Sequence, residues 1–519
     1  MTTVSNPLLP GCYPDPSVCR VGDDYYLVTS TFEYLPGLPV LHSRDLVHWE
    51  TVGHAVDRAD MLDFAGIRSS GGLYAPTIRH DGERFWIVCT LVDPTDATRG
   101  GNFLITAADP AGPWSDPIWL DVDGIDPSVA FGEDGRIWMH GTRLAREPQW
   151  HHQTEIWVRE YSGTEQALVG AEHVIWRGAV NGAVWAEAPH LYRIDGRWYL
   201  IAAEGGTEFH HAVSVARADD VTGPYEGNRA NPVFSHRHLG RGVRVIGAGH
   251  ADIVEAQDGS WYAVMLAMRA EDGSHYPLGR ETFLCPVAWE EGWPVFAPGY
   301  GVLPESIEVP WAGDDVAAGT WQPDDRRSGS VASDDLRWTS LRELPEEIAV
   351  AQSDGTWQLA VRAESLADAG TVAFLGVRQQ HADVDVTGVL DMSALAEGET
   401  TGLVVRQSER DHAALQVTRN ADGLLVRAVH RRGDQENLEA ARDLPMAESV
   451  RLTVRARGYA YELVCGEECL ATINGRELDA ASTGGFLGLW FGVFATSHGR
   501  QPRGSVRIHD FGYEPTSML

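Results

Sequence analysis

The sequence predicts an all-β chain in two parts, a five-bladed β-propeller followed by a β-sandwich of the jelly-roll, lectin-like kind. Three observations predict it. A phrase of two short strands around a tight turn comes back five times within residues 1–303. Convincing long amphipathic helical patterns are absent from that stretch, which argues against an α/β barrel. Beyond it, alternating runs of period two take over, with turn signals between them.

The first part rests on the repeat. Asp15-Pro-Ser-Val-Cys-Arg-Val-Gly-Asp-Asp-Tyr-Tyr-Leu-Val is its first copy and Ala75-Pro-Thr-Ile-Arg-His-Asp-Gly-Glu-Arg-Phe-Trp-Ile-Val its second. Others begin at Asp126-Pro-Ser-Val and Ala188-Pro-His-Leu, and the fifth is set at Ala251-Asp-Ile-Val. Each reads as a hairpin. Further strand-like runs lie between copies, such as Val40 to Trp49 and Asn102 to Asp109. Four short strands per unit, repeated, are the mark of a propeller, and five copies predict five blades.

The second part begins after a change of text. Residues 304–333, rich in Asp, Gly, Ser and Pro, read as a linker between a propeller domain at 1–303 and a sandwich domain at 334–519. From Asp334 onward, runs such as Leu403-Val-Val-Arg-Gln and Arg451-Leu-Thr-Val-Arg-Ala-Arg predict an antiparallel sandwich. A chain of 519 residues exceeds one ordinary core in any case.

Charge narrows the partners. The net charge of −33 repels phosphate backbones and anionic membranes, so nucleic-acid and membrane-surface roles are disfavoured and a neutral partner such as a sugar stays open. The six cysteines form no pair of CxxC units, which disfavours a zinc site. The start, Met-Thr-Thr-Val-Ser-Asn-Pro, lacks the basic residues and apolar run of a secretion signal. The expectation is a cytoplasmic protein with reduced thiols.

In a propeller, equivalent positions of successive blades surround one axis. The repeat starts therefore converge: Asp15, Ala75, Asp126, Glu187-Ala188 and His250-Ala251. Three blades deliver a carboxylate to one place and a fourth delivers a histidine. Gathered like charges raise one another's pKa and cost folding energy, so the trio points to function more than to stability. One reading is a calcium site built from carboxylates and a histidine, as structural calcium at the axis. The other is glycoside hydrolysis, which pairs a protonated carboxyl with a carboxylate opposite. Glu187 lies in Val-Trp-Ala-Glu-Ala-Pro-His, whose apolar neighbours suit a carboxyl with a raised pKa. Asp15, in the stiff turn Tyr13-Pro-Asp-Pro-Ser, suits an ionised base; the residue before each proline is expected to be extended.

These phrases resemble glycoside hydrolase family 43, in its β-xylosidase and α-L-arabinofuranosidase branch with an appended β-sandwich. The matching pieces run in order along the chain: Tyr13-Pro-Asp-Pro-Ser, Ser43-Arg-Asp-Leu-Val-His-Trp, Ser70-Gly-Gly-Leu-Tyr-Ala-Pro, Gly124-Ile-Asp-Pro-Ser, Glu187-Ala-Pro-His-Leu-Tyr, Glu204-Gly-Gly-Thr, Gly249-His-Ala-Asp and Leu278-Gly-Arg-Glu-Thr. The resemblance implies an inverting, exo-acting hydrolase that releases D-xylose from short xylooligosaccharides, with α-L-arabinofuranosidase or dual activity as the alternative. A non-catalytic carbohydrate-binding propeller is the more distant alternative. The resemblance makes Asp15 the general base, Asp126 the pKa modulator and orienter, and Glu187 the general acid.

It makes Arg280 the substrate-binding arginine, with Arg269 the weaker candidate, and Phe32 an aromatic wall of the sugar pocket. His250 either bonds the modulator or helps hold a central ion. Tyr74 stands where relatives often carry Trp, and Phe486 is the candidate for a phenylalanine sent by the second domain over the pocket mouth. No cofactor is implied beyond that ion. The substrate partner is a xylooligosaccharide or a small arabinosylated sugar, and relatives are often dimers or tetramers, so a homo-oligomer is the implied assembly.

Overall fold

The computed structural model describes residues 2–270, 272–309 and 331–516. Most of the predicted linker, residues 310–330, lies outside them. Among the described residues helix is confined to two four-residue turns, Pro345–Ile348 and Ala480–Thr483, and two 3-10 turns.

Five antiparallel sheets follow one another in chain order, and each is a simple up-and-down meander. Their innermost strands are Ser17–Val21, Thr77–His80, Ile125–Phe131, Glu187–Ile194 and Val245–Glu255. Each of these lies against the next, and the fifth returns to the first, so the ring is closed. Their partners are apolar on both faces, as in Phe85–Val92 and Arg197–Glu204, because every sheet is packed between two others.

Pairing corrects the register of the fifth copy. Ser17 stands opposite Val28, Thr77 opposite Val88, Ser128 opposite His140, His190 opposite Ile201 and Asp252 opposite Val264. Asp252 is thus the counterpart of Ser17, and the fifth copy starts at His250 rather than Ala251. Its hairpin turn holds one residue more than that of the first copy, which displaced the alignment.

Among the described residues no strand is exchanged between first and last blade. Residues 6–13 instead lie along the outer end of the fifth blade. Leu9 and Thr282 exchange both backbone bonds, Tyr13 N donates to the Arg280 carbonyl at 3.1 Å, and Asn6 bonds Leu284 through both ends of its amide. Thr2–Ser5 pairs with Ser306–Val309 beside this strap.

A seven-stranded and a six-stranded antiparallel sheet form the second unit. Their facing residues make one core, with Val386, Leu390, Leu403, Val405, Leu415, Val454, Phe491 and Val493 among its members. The alternating runs at 403 and 451 lie in its strands Thr400–Arg406 and Ser449–Arg457. The sandwich is keyed into the propeller by polar side chains. Arg406, fully buried, donates to Tyr34 Oη at 2.8 Å and Ser69 Oγ at 2.9 Å and pairs with the equally buried Glu33 at 3.3 Å. Asp479 accepts from Tyr276 N at 2.8 Å, and Leu489 N donates to the Pro277 carbonyl at 3.1 Å. The turn carrying Phe486 is in this way tied to the loop that leads into Arg280.

Candidate active site

The five repeat starts do converge. A pocket at one end of the axis is lined by Asp15, Ala75, Asp126, Glu187 and His250, one from each blade. Phe32, Tyr74, Ile125, Thr207, Arg280 and Phe486 complete it. The cavity is about 70 Å³. At ~10–15 Å³ for each water, that is room for about five, or for one sugar ring. A roomier cleft of about 390 Å³ lies between residues 56–66 and Arg342, Glu343 and Glu347 of the second unit, and none of the three acids lines it.

The backbone at the starts departs from expectation. Asp15, Asp126 and Ala188 each precede a proline, yet all are left-handed, with φ of 55°, 52° and 49°, and His250 matches them at 52°. The ladders are irregular at the last three: the register shifts between Ile125 and Ser128, between Glu187 and His190, and between Gly249 and Asp252. Such a bulge kinks the inner strand and turns its first side chain toward the axis. A left-handed alanine costs about 1–2 kcal/mol, strain of the kind that collects at functional sites.

Each acid then meets a different environment. Asp15 Oδ1 accepts from Arg280 Nη1 at 2.8 Å, and its Oδ2 accepts from Ser30 Oγ at 2.6 Å. His250 Nδ1 lies 3.7 Å from the same Oδ1. Asp126 Oδ2 accepts from Ala188 N at 3.0 Å, which places it one residue from Glu187. Burial pushes the Asp126 pKa up to about 6, with the charge on Asp15 adding to it and that of His250 opposing. Glu187 is lifted well above the carboxylate range, first by burial, then by the charges of Asp126 and Asp15. Three carboxylates and one cation thus share a pocket in which the electrostatics favour a neutral Glu187.

Arg280 is stacked between rings, its guanidinium 5.6 Å from the Phe32 centroid and 5.3 Å from that of Phe486. Phe486 lies 6.0 Å from Phe32, nearly parallel, and 5.8 Å from Tyr74, edge-on. Its backbone N donates to Ser70 Oγ at 2.9 Å, a contact across the two units. Arg269 is spent elsewhere, holding Glu281 with two bonds of 2.8 and 2.7 Å. His250 faces Asp15, and no hydrogen bond joins it to Asp126 among the described residues.

Thr207 escaped the sequence reading. It bonds Arg280 Nη1 at 3.0 Å, and the left-handed pair Gly205 and Gly206 carries it to the rim. The glycines of Glu204-Gly-Gly-Thr were the available signal.

At the axis below the pocket the acid is already engaged. Asp252 already accepts from Ser17 Oγ, Val18 N, both terminal nitrogens of Arg79 and the Tyr192 hydroxyl. Burial works against its charge, but Arg79 outweighs burial and holds the carboxyl well below its usual range. Among the described residues no group of three or more His, Cys, Asp or Glu is arranged to hold an ion. Arg79 supplies a positive charge at this axis.

A five-bladed ring that gathers three carboxyls from three blades around one arginine in a small pocket, with Glu187 favoured in its neutral form, is the apparatus of a glycoside hydrolase. Comparison with known proteins narrows the class. Glycosyl hydrolases family 43 matches residues 4–294, and the β-xylosidase C-terminal concanavalin A-like domain matches residues 332–514. The chain belongs to family 43. It is 37% identical over 520 residues to a xylosidase/arabinosidase of Butyrivibrio fibrisolvens, covering 96% of this chain and 97% of that one. A non-reducing end α-L-arabinofuranosidase of Bacteroides ovatus is 34% identical, with 96% and 92% covered. The crystal structure of a xylan β-1,4-xylosidase from Bacillus halodurans superposes with a TM-score of 0.88 at 31% identity, covering 98% of this chain and all of that one.

Proposed function

We propose that this protein removes single D-xylose units from the non-reducing ends of short β-1,4-xylooligosaccharides, with inversion at the anomeric carbon. The carrying observation is the pocket itself, which has room for one ring, the three acids on its walls and Phe486 of the second unit across it. A pocket of that size, walled by Phe486, favours chain ends over the middle of a polymer. Asp15, held by Arg280 and Ser30, takes a proton from the attacking water. Glu187, kept protonated by burial and by its acidic neighbours, gives a proton to the departing oxygen. Asp126 holds the Ala188 amide, and with it the Glu187 backbone, while its charge discourages ionisation of Glu187. Arg280 orients Asp15 and presents its remaining donors to sugar hydroxyls.

The relatives' names favour a second activity on α-L-arabinofuranosides, and Tyr74 gives the aromatic wall a smaller ring than tryptophan would. Hydrolysis of nitrophenyl β-xyloside against nitrophenyl α-arabinofuranoside ranks the two sugars. The mechanism requires near-total loss in Asp15→Ala and partial survival in Glu187→Ala, since nitrophenolate needs little acid help. Wild-type rates in both variants would refute it. Release of xylose from xylobiose, with none from the interior of xylan, tests the exo reading.

A further inference from the structure

We infer that Trp185, backed by His152 and His151, is a stacking platform for the sugar on the leaving-group side of the scissile bond, the first ring outside the enclosed pocket. The inference rests on the function proposed above.

Three loops meet beside Glu187. Residues 145–153 leave the strand Ile137–Leu144, whose end lies opposite the start of Ile125–Phe131. Residues 177–186 lead directly into Glu187. Residues 205–211 follow Arg197–Glu204, whose Ala203 pairs with Glu187. The loops are fastened together: Trp185 N donates to the His152 carbonyl at 3.1 Å, Gly205 N to Val184 at 2.9 Å, and Trp150 Nε1 to Ala183 at 2.8 Å. The indole covers Gly206, where a Cβ would stand 3.2 Å from Trp185 Cδ1, and Gly206 adjoins the pocket residue Thr207.

On this scaffold the rings form a row. Trp185 and His152 lie 4.6 Å apart and 32° from parallel, and His152 and His151 lie 3.6 Å apart. Both histidines are exposed and Trp185 is partly so, and the apolar side chains of Leu144, at the strand end before the first loop, and of Val180 in the second are bare at 61% and 44%. Tryptophan ordinarily spends its large apolar area in a core. Here it is left at the rim, two residues from the acid.

The chemistry fixes which sugar would lie there. A general acid must reach the departing oxygen, so the leaving sugar leaves the pocket on the Glu187 side. The other walls are closed by Phe32, Tyr74 and Phe486. A xylose ring is uncharged and presents flat C–H faces, which an aromatic face accepts without a partner charge.

The test compares kcat/KM for xylobiose, whose leaving group is a second ring, with kcat/KM for β-D-xylosyl fluoride, whose leaving group is a single fluoride. In Trp185→Ala, and separately in His152→Ala, the ratio of the two constants is expected to fall about tenfold from the wild-type value. A ratio that holds in both variants overturns the platform, whether the two constants decline together, as from a disturbed scaffold, or stay put. A wild-type protein that hydrolyses neither compound overturns the proposed function, and the platform with it.

Discussion

Replacing Asp126 with asparagine separates its two roles. The amide oxygen still accepts from Ala188 N at 3.0 Å, so the bulge that aims Glu187 is kept while the charge is removed. Two carboxylates on the order of 6 Å apart, at an effective dielectric of about 20, repel by about 3 kcal/mol, or about two pH units. The sign follows from the causes of the shift. Burial raises the Glu187 pKa and remains in the variant, whereas the contribution of Asp126 also raises it and is lost. Because the Asp126 pKa is pushed up to about 6, its charge is present above that pH, where it opposes ionisation of Glu187. The basic limb of kcat/KM against pH on xylobiose is therefore expected to move down by about one to two units in Asp126→Asn. Activity is retained best in acid and falls most at neutral pH. A uniform loss at all pH values, with the basic limb unmoved, would refute the electrostatic role and leave Asp126 as an orienter alone.

Three other outcomes follow from the geometry. Phe486→Ala opens the wall across the pocket, so kcat/KM on xylobiose should fall about tenfold or more, and the loss of two ring contacts of about 0.5–1.5 kcal/mol each should also lower the thermal midpoint, as steady-state kinetics and calorimetry can show. Arg406→Ala strands Glu33 in the interface, at a cost of about 3–5 kcal/mol that protonation of Glu33 reduces; the expected signs are a lower unfolding midpoint and lost activity as the Phe486 turn loosens. Prolonged dialysis against a chelator should leave both activity and midpoint unchanged, since Arg79 supplies the positive charge at the axis.

Much of this was legible in the sequence because its signals are local. Five copies of one hairpin phrase, each with its own turn, are enough to imply five blades, and rotational equivalence then brings Asp15, Asp126 and Glu187 together without any knowledge of contacts. Proline rules failed at Asp126, where they favour extended backbone and the bulge in its strand takes a left-handed residue. One extra turn residue displaced the fifth copy, because periodicity marks where a strand runs but does not mark which residue faces its neighbour. Long-range partners were silent altogether. Nothing near Ser70 announces a bond to Phe486, 416 residues away, and Phe486 was reached through resemblance alone. The Arg406–Glu33 pair was missed for the same reason: each looks like an ordinary surface charge until two units close over it.

The strap of residues 6–13 has a bearing on how this molecule comes into being. Tyr13 bonds the Arg280 carbonyl, and Asp15 begins two residues later, so the bond that shuts the ring also sets the base against its arginine. Those partners leave the ribosome at opposite ends of the first unit, and the earlier one must wait for the later. A ring that has not shut has no assembled catalyst, so activity during refolding should rise with the last seam and not with the blades. Catalysis in this chain is a receipt for completed topology.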